Sequence, residues 1–337
     1  MRIGIMSFAH LHAAGYARLL HATPGVEVLI ADDDATRGRY WADELGVPLF
    51  DSYTALLDHA PDGVVICAEN VRHRPLTEVA AAAGAAVLCE KPLATTEDDA
   101  RAMIDACAAA GVTLMTAFPM RFSPPVAALA AAVGAGQVGR IHAMTGTNPG
   151  RMPTGWFTDP RLSGGGAVTD HTVHLADLMC WLTGSEPATV YAQTNDLIHP
   201  DAGVETGGLI AVTFTDGTVA TIDCSWSRLD TYPTWGTVTL EVVGDGGVLT
   251  VDAFRQHITT YTDTTRWRPF GTDPDAGLVA EFLAAIRDRR PTRPDGVDGY
   301  RATAVALAAY RSAATGQPAA VTPLAEPRLV PDARTGR

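Results

Sequence analysis

The stretch GVVICAENVRHRPLTEVAAAAGAAVLCEKP, Gly63 to Pro92, decides the fold. It opens on a short apolar run rich in β-branched residues and closes on a second such run, AAVLCEKP. Between them RPLTEVAAAAG has helical composition and stops at Gly84. Strand, helix and strand of these lengths form a βαβ unit, whose parallel strands are buried on both faces and read as continuous apolar segments.

The same alternation extends in both directions. Upstream lie a strand from Ile3 to Met6, a helix within SFAHLHAAGYARLLHATPG, a strand in VEVLIADDD and a helix in ATRGRYWADELG. A short strand around Pro48 to Phe50 and a helix in SYTALLDHA complete that side. Downstream come a helix in EDDARAMIDACAAAG and a strand in VTLMTAFP. The pattern predicts a doubly wound parallel sheet, in which ligands bind beyond the carboxyl ends of the strands. Four polar clusters fall at those ends: Ser7 to His10, Asp32 to Asp34, Glu69-Asn70 and Glu90-Lys91.

The turn after the first strand, Ser7-Phe8-Ala9-His10-Leu11-His12, stands where a dinucleotide-binding unit carries G-x-G-x-x-G. Ser7 and Ala9 are small enough for backbone to approach a pyrophosphate at a helix N-terminus, and Ser7 adds a hydroxyl donor. His12 occupies the third glycine position. Asp32, ending the second strand, is suited to accept both ribose hydroxyls of NAD and to repel the 2′-phosphate of NADP. Two readings stay open beside this one. Asp32 or Asp33 caps the next helix, or Arg37 and Arg39 admit NADP.

After Arg121 the period changes. In GLIAVTFTDGTVATIDCSWS, Ile210, Val212 and Phe214 share one face, Asp216-Gly217 makes a tight turn, and Ile222, Cys224 and Trp226 line a face on the return. GTVTLEVVGDGGVLTVDAF repeats that design, so residues 122–325 read as an α+β domain after a dinucleotide-binding domain of residues 1–121. Residues 326–337 are expected to form a mobile tail.

Composition narrows the function. The net charge of −13 and the scattered arginines offer no basic stripe for nucleic acid. No apolar run is long enough to span a membrane, and MRIGIMSFAH lacks the layout of a secretory signal. Five cysteines, odd in number and set in apolar segments, read as reduced core residues of a cytoplasmic protein.

Against that background Lys91 stands out as the only lysine among 25 Lys and Arg residues. An amine that can lose its proton does what no arginine can. In DHTVHLAD, Asp170, His174 and Asp177 lie on one helical face with His171 at its edge. Asp170, one turn before His174, is placed to orient that imidazole for proton transfer. Asp170, His171 and His174 also offer donors suited to Zn, Mn or Fe, the rival reading. The favoured one has no metal.

With these residues assembled, the chain resembles the Gfo/Idh/MocA family of nicotinamide-dependent oxidoreductases over nearly its whole length. The resemblance rests on Glu90-Lys91-Pro92, Asn70-Val71-Arg72-His73, Met120-Arg121-Phe122, Gly164-Gly165-Gly166, Asp170 with His174, Cys224-Ser225-Trp226 and Val243-Gly244-Asp245-Gly246-Gly247. It implies a Rossmann domain joined to a substrate domain on an open, mostly antiparallel sheet, through which copies pair as homodimers or homotetramers. It also implies a Lys91 that projects into the active site beside a cis Lys-Pro bond. The expected activity is hydride transfer between NAD and a secondary alcohol or ketone of a sugar or cyclic polyol. Lys91, His174 and Asp170 are then the catalytic set. Ser7, Phe8, Ala9, His10, Asp32, Glu69, Asn70, His73 and Glu90 line the cofactor site, and Arg121, Trp156 and His171 are candidate substrate contacts. Two alternatives accompany this expectation: a glycoside hydrolase that oxidises its sugar transiently, and a sugar or cofactor sensor without catalysis. Two departures from the family pattern are Ser7-x-Ala9 in place of glycines and His171 where the family often has a small or apolar residue.

Overall fold

The apolar run after Met1 forms the first strand of a six-stranded sheet in the computed structural model, which describes residues 1–232, 234–261, 265–269 and 271–324. Its strands are β1 (Arg2–Met6), β2 (Glu27–Ala31), β3 (Leu49–Phe50), β4 (Gly63–Ile66), β5 (Ala86–Cys89) and β6 (Leu114–Thr116). They lie in the order β3-β2-β1-β4-β5-β6, all parallel. Ile3, Ile5, Val64, Val65, Val87 and Leu88 are wholly buried, as strands covered on both faces require. The helices between them are α1 (Ala13–His21), α2 (Ala35–Leu45), α3 (Tyr53–Leu57), α4 (His73–Ala82) and α5 (Glu97–Ala110). Asp34, rather than Asp32 or Asp33, caps α2 by accepting from the amides of Thr36 and Arg37. Thr96 caps α5 in the same way.

The second half forms α6 (Pro124–Gly134), β7 (Ile141–Arg151), the short α7 (Pro160–Ser163), the long α8 (Ala167–Thr183) and strands β8 (Pro187–Asn195), β9 (Gly207–Phe214), β10 (Val219–Arg228), β11 (Thr239–Gly244) and β12 (Gly247–Asp252). A hairpin of β13 (His257–Tyr261) and β14 (Thr265–Pro269) follows, then α9 (Pro274–Asp288), α10 (Gly296–Thr315) and β15 (Ala319–Ala320). Seven strands pair in the order β12-β11-β7-β10-β9-β8-β15, antiparallel except for β7 with β10. The expected faces are present. Ile210, Val212, Phe214, Ile222, Cys224 and Trp226 are buried beneath α8 and α10, while their alternates Leu209 and Val219 face outward. The predicted tail at 326–337 lies outside the described residues.

One helix sits where its sequence position does not suggest. Leu278, Val279 and Phe282 of α9 join Ile3, Ile5 and Tyr16 in the core on one face of the parallel sheet. A boundary at 121/122 therefore separates chain segments but not cores, because α9 returns to cover strands laid down in the first part of the chain.

The junction between the halves is a buried ion cluster. Arg121, in the turn after β6, donates from Nε and Nη2 to the Asp177 carboxylate of α8 at 2.8 and 2.6 Å, and Nη2 lies 3.3 Å from Asp298 of α10. Removing one partner of a buried pair costs about 3–5 kcal/mol, because the remaining charge is stranded out of water. We expect Asp177→Ala to lose roughly that much stability in urea unfolding. The Arg121→Met/Asp177→Leu double variant, which strands no charge at this pair, should lose clearly less.

Candidate active site

The carboxyl ends of the parallel strands present the turn at Ser7, the Asp32 carboxylate, Asn70 and the Glu90-Lys91 pair. Helix α8 faces them from the second half. Its start has no room for side chains: a Cβ on Gly166 would lie 2.0 Å from the Glu205 carbonyl oxygen. The Glu205 carboxylate accepts from the amides of Gly166 and Val168, so a distant residue caps α8. That packing delivers Asp170, His171 and His174 to the crevice between the halves.

Lys91 reaches across this crevice from the end of β5. Its Nζ donates to Asp170 Oδ1 at 2.5 Å and to the Asp170 carbonyl at 3.2 Å, and the Lys91–Pro92 bond is cis, as expected. Trp226 Nε1 donates to the other carboxylate oxygen at 3.1 Å, and His171 Nε2 lies 3.2 Å from it. Burial alone would raise the Asp170 carboxyl, but the Lys91 and His171 side chains hold it well below the usual range. No hydrogen bond joins Asp170 to His174 among the described residues: its carboxylate is taken by Lys91 and Trp226, and its negative charge acts on the imidazole from a distance. Burial, reinforced by Lys91 and His171, pushes His174 well below its ordinary value, so the ring is neutral. Its Nδ1 is shielded without a partner among the described residues, which leaves Nε2 as the nitrogen available to the cavity.

That cavity measures about 290 Å³ and is lined by Lys91, Asp170, His171, His174, His12 and Asn148. Trp235, Phe254, Asp273 and Asp275 close its far wall. His171 lines it. Its Nε2 is turned to the Asp170 carboxylate, its Nδ1 is shielded and unpartnered among the described residues, and Gly150 makes room, since a Cβ there would lie 2.4 Å from the ring. Arg121 and Trp156 do not line the cavity. Arg121 is committed to Asp177 and Asp298, and Trp156 donates to the Ala9 carbonyl at 3.0 Å and stacks on Phe157, roofing the turn instead.

The cofactor side fits a dinucleotide in most of its predicted residues. Ser7 has φ +76°, the left-handed backbone that glycine would adopt there. Asp32 accepts from the Phe8 amide at 2.7 Å and is gripped by Arg37 through Nε at 2.8 Å and Nη2 at 2.7 Å. Asn70 donates to the Ser163 carbonyl, while its Oδ1 is buried and unpaired among the described residues, an acceptor in want of a hydroxyl. Glu69 lies 3.4 Å from Arg72. The turn Ser7–His10, Asp32 and Asn70 are thus the groups that would hold NAD. His73 is the exception: its ring spans the carbonyls of Pro92 and Ala68 at 3.0 and 3.2 Å, clamping the β4 and β5 exits together. Glu90 is buried against His10 and His12, with Oε1 3.0 Å from His12 Nδ1. Burial would raise its carboxyl, but the two imidazoles hold it well below.

The far wall was not legible in the chain. Asp275 reads as a residue of the first turn of α9, capped by Asp273, and only the docking of α9 on the first sheet brings it here. Trp235 lies in a loop whose sequence signals variable pocket shape but no conformation. Glu205, which holds the start of α8, gives no local signal at all.

Comparison with known proteins agrees with this geometry. Residues 3–118 match the model described as oxidoreductase family, NAD-binding Rossmann fold, and residues 126–250 match the GFO/IDH/MocA C-terminal domain. The 1,5-anhydro-D-fructose reductase of Ensifer adhaerens is 31% identical, over 90% of this chain and 93% of that protein. The inositol 2-dehydrogenase of Rhizobium meliloti is 32% identical, over 75% and 78%. The crystal structure of GenD2 from gentamicin A biosynthesis, in complex with NAD, superposes with a TM-score of 0.87 at 26% identity, covering 96% of each chain. Two matched domains in order, joined across a lysine-bearing crevice, make this chain a member of the Gfo/Idh/MocA family of NAD-binding oxidoreductases.

Proposed function

We propose that the protein is an NAD-dependent dehydrogenase or reductase for a secondary alcohol or ketone of a sugar or cyclic polyol. The observation that carries this reading is the Lys91–Asp170 contact at 2.5 Å, set in a small cavity beside a neutral imidazole. The names of the relatives, a reductase of an anhydrosugar and a cyclitol dehydrogenase, support the substrate class.

The chemistry follows from these groups. When bound, the nicotinamide exchanges a hydride with the substrate carbon. His174 Nε2 takes the hydroxyl proton as general base. The Lys91 ammonium stabilises the oxygen as negative charge develops, where a preorganised donor in a water-poor site acts most. Asp170, saturated by Lys91 and Trp226, positions the amine rather than moving a proton itself. His171 and Asn148 contact the remaining hydroxyls. Asp32 favours NAD over NADP, because the Arg37 guanidinium that would greet a 2′-phosphate is bound to Asp32.

The finer expectations rest on three further observations. All five cysteines are buried and unpaired, which supports a reducing, cytoplasmic setting. No helix among the described residues is long and apolar enough to cross a membrane. The outer face of the second sheet exposes Leu209 (66%), Val219 (50%) and Tyr191 (39%), which supports pairing of copies through that face.

Titration with NADH and NADPH, followed by tryptophan-to-nicotinamide energy transfer, should show NADH binding at least about tenfold tighter. Lys91→Met should lower kcat by about 10²- to 10³-fold on the best sugar or polyol while NADH affinity stays near that of the parent. Parental turnover by that variant would remove Lys91 from the mechanism. Leu209→Lys should halve the particle mass in sedimentation; an unchanged mass would exclude the open face as the pairing surface.

A further inference from the structure

Each hydride removed from an alcohol leaves one proton behind: the hydroxyl O–H and the carbinol C–H are broken, a carbonyl forms, and H⁺ must reach water. His174 is the first acceptor but a poor place for the proton to stay, with Lys91 and His171 beside it and Nδ1 unpartnered. Besides His174 and His171, a third imidazole lines the same cavity. His12 comes from the other side of the crevice, at the start of α1, in the position where a dinucleotide turn normally has glycine.

His12 bridges a buried charge and solvent. Its side chain is 29% exposed, whereas Glu90, 3.0 Å from Nδ1, is 0% exposed. With Nδ1 on Glu90, Nε2 is the nitrogen left for cavity and water. The charges that act on it are Glu90 and Lys91 from the end of β5 and Asp275 from α9, and the His10 ring of its own turn packs against it edge-on. Tyr16, one turn along α1, touches the ring edge, and His174 and Asp170 of α8 line the opposite wall. Burial lowers the His12 imidazole, but Glu90 more than compensates and the net direction is upward. Burial raises the Asp275 carboxyl to about 6, against a lowering pull from His12. Both of these groups beside the cavity are therefore shifted upward, whereas His174 and His10 are pushed down.

We propose that His12, seated on Glu90, is the relay that carries the reaction proton between His174 and solvent. A cation held by His10, His12 and Glu90, whose ligand atoms lie within 4.8 Å of one another, is the competing use of this cluster. The tautomer argues against it. His10 Nδ1 accepts the His12 amide at 3.2 Å, so its proton is on Nε2, facing Glu90 at 3.8 Å, and that nitrogen has no lone pair to offer a metal.

The inference rests on the oxidoreductase reading, and one experiment separates the two. Stopped-flow absorbance would follow NADH, and a pH indicator would follow proton release, during oxidation of the best polyol or sugar. In the parent the two signals should rise together. In His12→Gln, proton release should lag NADH and kcat should fall about tenfold or more, with recovery on adding imidazole, while NADH affinity stays within twofold. In Glu90→Gln, loss of the charge that holds His12 up should move the acid limb of the kcat profile to lower pH. Proton release in step with NADH in His12→Gln, with no imidazole effect, would overturn the relay. So would a collapse of NADH affinity without rescue, or stoichiometric zinc lost on mutation. A parent that turns over no sugar or polyol would remove the oxidoreductase reading and the relay with it.

Discussion

The buried contact between Lys91 and Asp170 joins the end of a parallel strand to a helix of the other half of the molecule. Neither charge survives burial alone, since the desolvation cost of an unpaired ammonium or carboxylate is several kcal/mol. The surroundings are built to meet that cost: Trp226 Nε1 takes the second carboxylate oxygen and the Asp170 carbonyl takes a second amine hydrogen. These partners come from β10 and α8, so satisfying one lysine requires β5, α8 and the second sheet to be in register. Arg121, Asp177 and Asp298 make a second tie of the same kind further from the cavity. The two halves are thus tied by paired charges at two places, one of which lines the cavity.

Much of this was legible in the chain, for identifiable reasons. Strands buried on both faces must be apolar throughout, so β4 and β5 announce themselves, and the helix between them makes them parallel. A sheet with one open face must alternate, which is what Ile210, Val212 and Phe214 do. Lys91 could be singled out because the composition isolates it. What periodicity cannot convey is where a face docks. The apolar stripe of α9 serves the first sheet as well as it would serve the second, and with it Asp275 arrives at the cavity unannounced. Likewise, helical spacing put Asp170 beneath His174, but a carboxylate goes to the strongest donors within reach, and those are Lys91 and Trp226. Arg121 and Trp156 misled for the same reason: long polar side chains find partners that sequence adjacency does not display.

The departures from the glycine turn show how a fingerprint can change while its geometry persists. Ser7 keeps the left-handed backbone at a cost of roughly 1–2 kcal/mol for a residue with a Cβ. Its hydroxyl accepts the Ala9 amide at 3.1 Å, and Asp32 accepts the Phe8 amide, so the turn is stabilised by side chains where the family pattern relies on glycine. His12 could not replace a glycine if helix and strand had to touch at that point. It fits because Glu90, the residue before the lysine, is buried beside it and gives the imidazole a counter-charge. One strand end therefore supplies both charges that matter, a carboxylate that sets the state of His12 and an amine that sets the field at the substrate oxygen. A change at the first glycine is a matter of backbone conformation. The change at the third adds a titrating group to a cavity in which His174 is held neutral, and that difference ties the unusual turn to the chemistry of the site.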